Sequence, residues 1–292
     1  MEWTRLLLVF VDIVLPLFTG YMLKARHIFS HKACSNLIRF NVIFMCTLVN
    51  SVSFWGLKLS AALLWLPVAS VLLTLVPGFI GARFFSHAFT DDLDRGAYVI
   101  SSMLANIGTI SGLSAFILYG ETGFAYVQLV AAPQNCLMVA AAFPMARYYA
   151  LLGMFAGVAL QAADVPRPEI LGTFFHYLVH ILAWVSLLPV GYLIDFRNAG
   201  RYYGRVKNML LQRYILIPVI FYFPFRALFH DPALFGSAML VTFSPAAINS
   251  VITAELYKLN VDLTISGFLL TTAVYIFLVF PLLFLCVNLA GR

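Results

Sequence analysis

Ten apolar runs, each about long enough to cross a bilayer, set the limits on what this chain can become. Spanning a hydrocarbon core as a helix takes about 20 mainly apolar residues. Such runs fall at roughly 5–23, 37–56, 61–81, 97–118, 123–144, 147–162, 170–193, 208–229, 234–254 and 263–289. Only 10% of the residues are charged, against about 25% in a soluble domain. That excludes a soluble enzyme, a disordered chain and a nucleic-acid module, and predicts an all-α integral membrane protein whose main contact is the lipid bilayer. The first run reads as a spanning helix rather than a cleaved signal, because Asp12 interrupts it and no small-residue cleavage site follows. Cys34, Cys46, Cys136 and Cys286 are scattered without a C-x-x-C and read as small hydrophobes, with no metal site expected.

Charge sets the expected orientation. With ten spans, one set of connections holds 13 of the 18 Lys and Arg, among them Lys24, Arg26, Arg83, Arg95, Arg201 and Arg205; the opposite set holds five. Cationic loops stay cytoplasmic, so both termini are expected outside. The connections are short, so whatever chemistry the chain performs is expected within the membrane. A plasma membrane, of the bacterial inner-membrane kind, is the expected location.

A pattern recurs along the chain. Leu15, Phe18, Gly20 and Leu23 return as Leu152, Phe155, Gly157 and Leu160, displaced by 137 positions. Phe143-Pro144 returns as Phe280-Pro281 at the same displacement, and Met103-Leu104 as Met239-Leu240 at 136. Five spans is an odd number, so a second copy would enter the membrane from the opposite face. Two inverted halves, 1–144 and 145–292, are expected, a plan that puts a transporter's site between discontinuous helices near the midplane.

The fourth and ninth runs hold the candidate breaks. Residues 101–114 are crowded with Ser, Thr, Asn and Gly, a poor composition for a uniform helix in lipid. In the ninth run, Pro245 lacks an N–H and clashes with the preceding turn. Freed backbone groups are tolerated at that depth only where protein or a wet cavity satisfies them. Asn106 and Asn249 bring carboxamides close to the two interruptions. Gly108-x-x-x-Gly112 and Gly153-x-x-x-Gly157 also read as helix-packing motifs.

These residues carry a resemblance. Asn106-Ile107-Gly108 through Tyr119-Gly120-Glu121 and Gly123, Ser244-Pro245-Ala246-Ala247 through Ala254-Glu255-Leu256-Tyr257, and Ile13 through Phe18 with Gly20-Tyr21 and Leu23-Lys24 are similar to segments of the auxin efflux carrier family, within the bile acid, arsenite and riboflavin transporter superfamily. The resemblance implies ten spans as two inverted five-helix repeats, with spans 4 and 9 crossing at their breaks. It implies a scaffold of spans 1, 2, 6 and 7, a transport domain of spans 3–5 and 8–10, an elevator-type secondary transport cycle and a homodimer. Family members export auxin in plants, and bacterial relatives are linked to malonate and other small organic anions. In one departure, Leu113 stands where the family carries a proline; Gly108, Ser111 and Gly112 would then permit the break.

The expected substrate is a small organic anion, because helix N-termini expose unsatisfied N–H groups and a positive dipole end that suit a carboxylate. Asn106, Gly108, Ser111, Gly112, Pro245 and Asn249 are the expected binding residues, with Gln134 and Asn135 after Pro133 adding amides that could equally bond between helices. Glu255 and Asp12 are candidates for coupling to H+ or Na+, no other cofactor being expected. Each has a plainer reading: Glu255 can pair with Lys258, and Asp12 with Arg5. Arg39 and Arg213, at helix ends, are expected to snorkel. His176 and His180 share a helix face but lack a third ligand, so polar packing is expected. Two other classes are weighed: an intramembrane enzyme, for which only Ser111 with His176 or His180 is available and nothing orients the base, and a non-transporting receptor on the same fold.

Overall fold

A computed structural model describes residues 2–141, 146–194 and 200–290, with side chains for 7–41, 43–134, 152–194 and 200–289. The described residues are helical apart from turns and one isolated bridge. In chain order the longer helices are α1 (Glu2–Ala25), α2 (His31–Trp55), α3 (Ala61–Ala88), α4 (Asp92–Met103), α5 (107–119), α6 (121–141), α7 (Ala146–Ala162), α8 (Glu169–Leu193), α9 (Asn208–Leu228), α10 (Pro232–Thr242), α11 (Asn249–Leu256) and α12 (Val261–Leu289), with short helical turns at Gly200–Tyr202 and Tyr203–Val206 before α9. Among the described residues seven helices are by themselves long and apolar enough to cross a membrane, against ten apolar runs in the sequence. The difference lies where the chain interrupts itself. The fourth run divides into α4 and α5, the ninth into α10 and α11, and α7 has only 17 residues. The Phe143-Pro144 half of one repeated pair lies outside the described residues.

Side chains set the helix ends. Ser30, Asp91, Asp231 and Asn260 stand just before α2, α4, α10 and α12 and accept hydrogen bonds from backbone N–H groups two or three residues on, which would otherwise be orphaned. Three helices close with a residue in the left-handed region: His27 after α1, Asp164 after α7 and Lys258 after α11, at φ 56°, 50° and 55°. Each closure uses the same pair of bonds. The N–H after the left-handed residue reaches back five positions (Ile28 to Leu23, Val165 to Leu160, Leu259 to Ala254), and the left-handed residue itself reaches back three. Gly120, at φ 68° and ψ −157°, makes the turn from α5 into α6, a backbone state open in practice only to glycine.

The helices pack through glycine and leave apolar side chains outward. A Cβ on Gly20 of α1 would sit 2.0 Å from the Leu188 carbonyl oxygen of α8, and one on Gly191 would sit 2.0 Å from the Leu17 oxygen. The α7–α2 pair repeats this contact: Gly153 abuts the Thr47 carbonyl and Gly157 the Ser51 carbonyl. Small residues permit such backbone approach in lipid, where no hydrophobic force drives helices together. Phe79, Phe155 and Phe223 stand 65%, 69% and 74% exposed, while Ser101, Ser111, Gln212 and Thr271 are fully buried. An apolar exterior, with polar side chains such as these kept inside among apolar cores, suits lipid rather than water.

Two cores flank α5. Ile107 belongs with Phe54, Leu66, Val130 and Phe221; Ile110, Leu113 and Phe116 belong with Ile13, Val49, Phe175 and Phe280. The start of α5 is therefore held from both sides, and it is here that the two interruptions meet.

Candidate functional site

The interruptions form a small antiparallel bridge between Ala105 and Ala246. Asn106 N–H donates to the Pro245 carbonyl at 2.8 Å, and Ala247 N–H donates to the Leu104 carbonyl at 2.9 Å. Leu104 is extended at φ −91° and ψ 123°, and Asn106 sits at φ −80° and ψ 61°. The first break thus falls at 104–106. It lies upstream of Leu113, which is an ordinary buried residue of α5, so no proline is needed there. What opens the chain instead is the supply of partners for its backbone.

Those partners come from three neighbouring helices. The Gln134 carboxamide, on α6, grips Ala105 twice: its Nε2 donates to the Ala105 carbonyl at 2.6 Å and its Oε1 accepts from Ala105 N–H at 3.4 Å. Thr271, on α12, accepts from Ala246 N–H at 3.0 Å. Arg213, on α9, donates to the carbonyls of Ser101 (2.6 Å), Ser102 (3.2 Å), Leu104 (2.6 Å) and Ser244 (3.1 Å). Every buried backbone group must find such a partner, and at this depth water is scarce. Arg213 does not snorkel. It is 4% exposed and forms no ion pair with a carboxylate among the described residues. A widened, π-helical turn at Gln212–Leu216 carries it, anchored by Gln212, whose Nε2 donates to the Pro77 carbonyl and whose Oε1 accepts from Ser102 Oγ.

The expected binding residues divide accordingly. Asn106 and Pro245 meet through the bridge, and Ser111 Oγ lies 2.6 Å from Ser244 Oγ. Gly108 lends its carbonyl to Gln128 Nε2 at 2.9 Å, and Gly112 leaves room for the same amide, 3.1 Å from where its Cβ would be. Gln134 is spent on Ala105, and the Asn135 side chain lies outside the described residues. Asn249 begins α11, three positions past the bridge residue Ala246, as Asn106 immediately precedes α5. Neither carboxamide has a side-chain hydrogen bond among the described residues; Asn106 is buried and Asn249 half-buried. Beside Gly108, a crevice of about 10 Å³ lies between α5–α6 (Thr109, Leu113, Phe124) and α8 (Val179, Ala183), room for a water at most.

The coupling candidates lie apart. Glu255 is exposed near the end of α11 and forms no ion pair with Lys258 among the described residues. Asp12 is buried, and its partners come from α8: one oxygen pairs with His180 Nδ1, the other accepts from Trp184 Nε1 at 3.1 Å. The Arg5 side chain lies outside the described residues. Phe116 of α5 sets its ring against His176 and His180, with centroids at 4.7 and 6.0 Å. Among the described residues no cluster of three His, Cys, Asp or Glu could hold a metal. Gln128 and Thr271 escaped sequence reasoning, and Arg213 was placed at the wrong depth; the only signal of all three was polarity inside an apolar run. No family model matches the chain, and no curated protein matches it.

Proposed function

We propose that this chain is a secondary transporter of a small organic anion, of the auxin efflux carrier type, working by elevator-type alternating access around the bridged breaks. The single observation that supports the reading best is the Ala105–Ala246 bridge, which brings two helix N-termini, those of α5 and α11, to one place. Each N-terminus offers a positive dipole end and a carboxamide with no side-chain hydrogen bond among the described residues, Asn106 or Asn249. A carboxylate is complementary to that set.

In this reading the chain has ten spans in two inverted halves, 1–144 and 145–292. Equivalences at one displacement support it: the left-handed closures at His27 and Asp164, the clasps made by Gln134 and Thr271, and the packing glycines Gly20 and Gly157 are each 137 positions apart. The scaffold comprises α1, α2, α7 and α8, locked in pairs by glycine contacts, and the remaining helices form the moving body. The crevice at Gly108 lies on the boundary between them, and its small volume implies that the bodies must separate to admit a substrate. A plasma-membrane homodimer with both termini outside completes the proposal.

The test is flux of labelled mono- and dicarboxylates into proteoliposomes containing the purified chain. Saturable uptake that is lost in N106A and N249A is the expected result. Carboxylates that stabilise the protein but never cross would point to a receptor instead.

A further inference from the structure

At the crossing two half-helices end and two begin, and the two kinds of end are treated differently. The N-terminal ends of α5 and α11 keep open carboxamides. The C-terminal ends of α4 and α10 gather carbonyl oxygens, Ser101, Ser102 and Leu104 from one and Ser244 from just past the other, and all four point to the guanidinium of Arg213. A cluster of backbone oxygens at the ends of interrupted helices is the environment in which transporters hold a sodium ion, and hard oxygen donors suit such a cation. Here the oxygens are already bonded to a charge that is covalently tethered, buried, and unmatched by any carboxylate ion pair among the described residues. Its Nε has no hydrogen-bond partner, so it is the carbonyl cluster, reached by both terminal nitrogens, that holds the group.

We propose that Arg213 is the resident cation of the crossing, filling the carbonyl cluster in place of a free alkali ion, so that the site between the breaks operates without sodium. A second cation could not enter: it would share the same oxygens and meet a like charge in a low-dielectric interior. The fork of the guanidinium also suits the task, since one nitrogen serves α4 and the other serves the second break, which a compact ammonium cannot do with the same geometry. The inference concerns which cation occupies the crossing, and it can be tested even if no carboxylate is transported.

The experiment is thermal unfolding of the detergent-purified full chain in sodium, potassium or choline chloride at equal ionic strength, with guanidinium added at low millimolar concentration in parallel. The parent protein is expected to unfold at the same temperature in all three salts. R213A and R213Q are expected to unfold earlier and to recover about 2–4 °C, saturably, on adding sodium or guanidinium, as a vacated site refills. R213K, which keeps the charge, is expected to remain indifferent to sodium. Saturable sodium stabilisation of the parent overturns the proposal, and it does so even if no Arg213 variant can be purified. Folded R213A and R213Q that respond to neither cation overturn it as well.

Discussion

Gln134 holds Ala105 by both ends of its carboxamide, donating to the carbonyl and accepting from the N–H of one residue 29 positions earlier. A side chain here does what a neighbouring strand would do, and it lets the chain leave the helix without orphaned groups. Q134L, close in size but unable to bond, is expected to destabilise the protein by about 2–4 kcal/mol, since each buried group left unmatched costs about 1–3 kcal/mol. T271V, which removes the corresponding acceptor for Ala246, should cost about 1–3 kcal/mol. Denaturant unfolding in detergent measures both. Unchanged midpoints would mean that the breaks are held by something else.

The open carboxamides make a contrasting prediction. N106A and N249A remove side chains that have no hydrogen bond among the described residues, so each should leave stability within about 1 kcal/mol of the parent. Both should abolish the stabilisation produced by carboxylate ligands in a thermal-shift screen. Retained ligand response in both variants removes the site from the crossing.

Glycine positions separate close packing from empty space. G20A and G191A would drive a methyl group into a carbonyl oxygen 2.0 Å away, and overpacking of this kind costs about 1–3 kcal/mol or more. G200A and G204A meet nothing within 4 Å and should be neutral. Relative yield and monodispersity on size-exclusion chromatography, then unfolding midpoints, rank the four. Equal behaviour would contradict the α1–α8 contact.

Asp12 and His180 should act as one unit. D12A and H180A are each expected to destabilise, and the double variant should lose less than the sum, with a coupling of about 0.5–3 kcal/mol in a double-mutant cycle. D12A should also alter the Trp184 environment, read as a shift in tryptophan emission. By contrast E255Q, at an exposed position, should change stability by no more than about 0.5 kcal/mol. Strict additivity of D12A and H180A would deny the pairing.

Much of the helical framework could be read from the chain alone. The run at 170–193 became Glu169–Leu193 and that at 208–229 became Asn208–Leu228, because partition into lipid depends on composition over a window rather than on neighbours. Pro245 and the polar stretch at 101–114 located both irregular regions, since a missing N–H and small polar residues act locally. Span number was less legible. Composition counts an interrupted segment as one run, whereas the chain divides it where neighbouring helices offer partners.

What the sequence could not decide was the use of its rare polar side chains. Arg213 on a long flexible stem has two local options, the membrane interface or the interior, and nothing within its own helix chooses between them. The choice was made by carbonyls freed at Ser101, Ser102 and Leu104, more than a hundred positions away, and at Ser244. Asp12 likewise found His180 and Trp184 across a helix contact that Gly20 and Gly191 make possible. Apolar periodicity and turn chemistry are properties of a segment, so they survive in one dimension. The matching of a buried donor to an acceptor is a property of a point in space, and only the assembled helices bring the two to it.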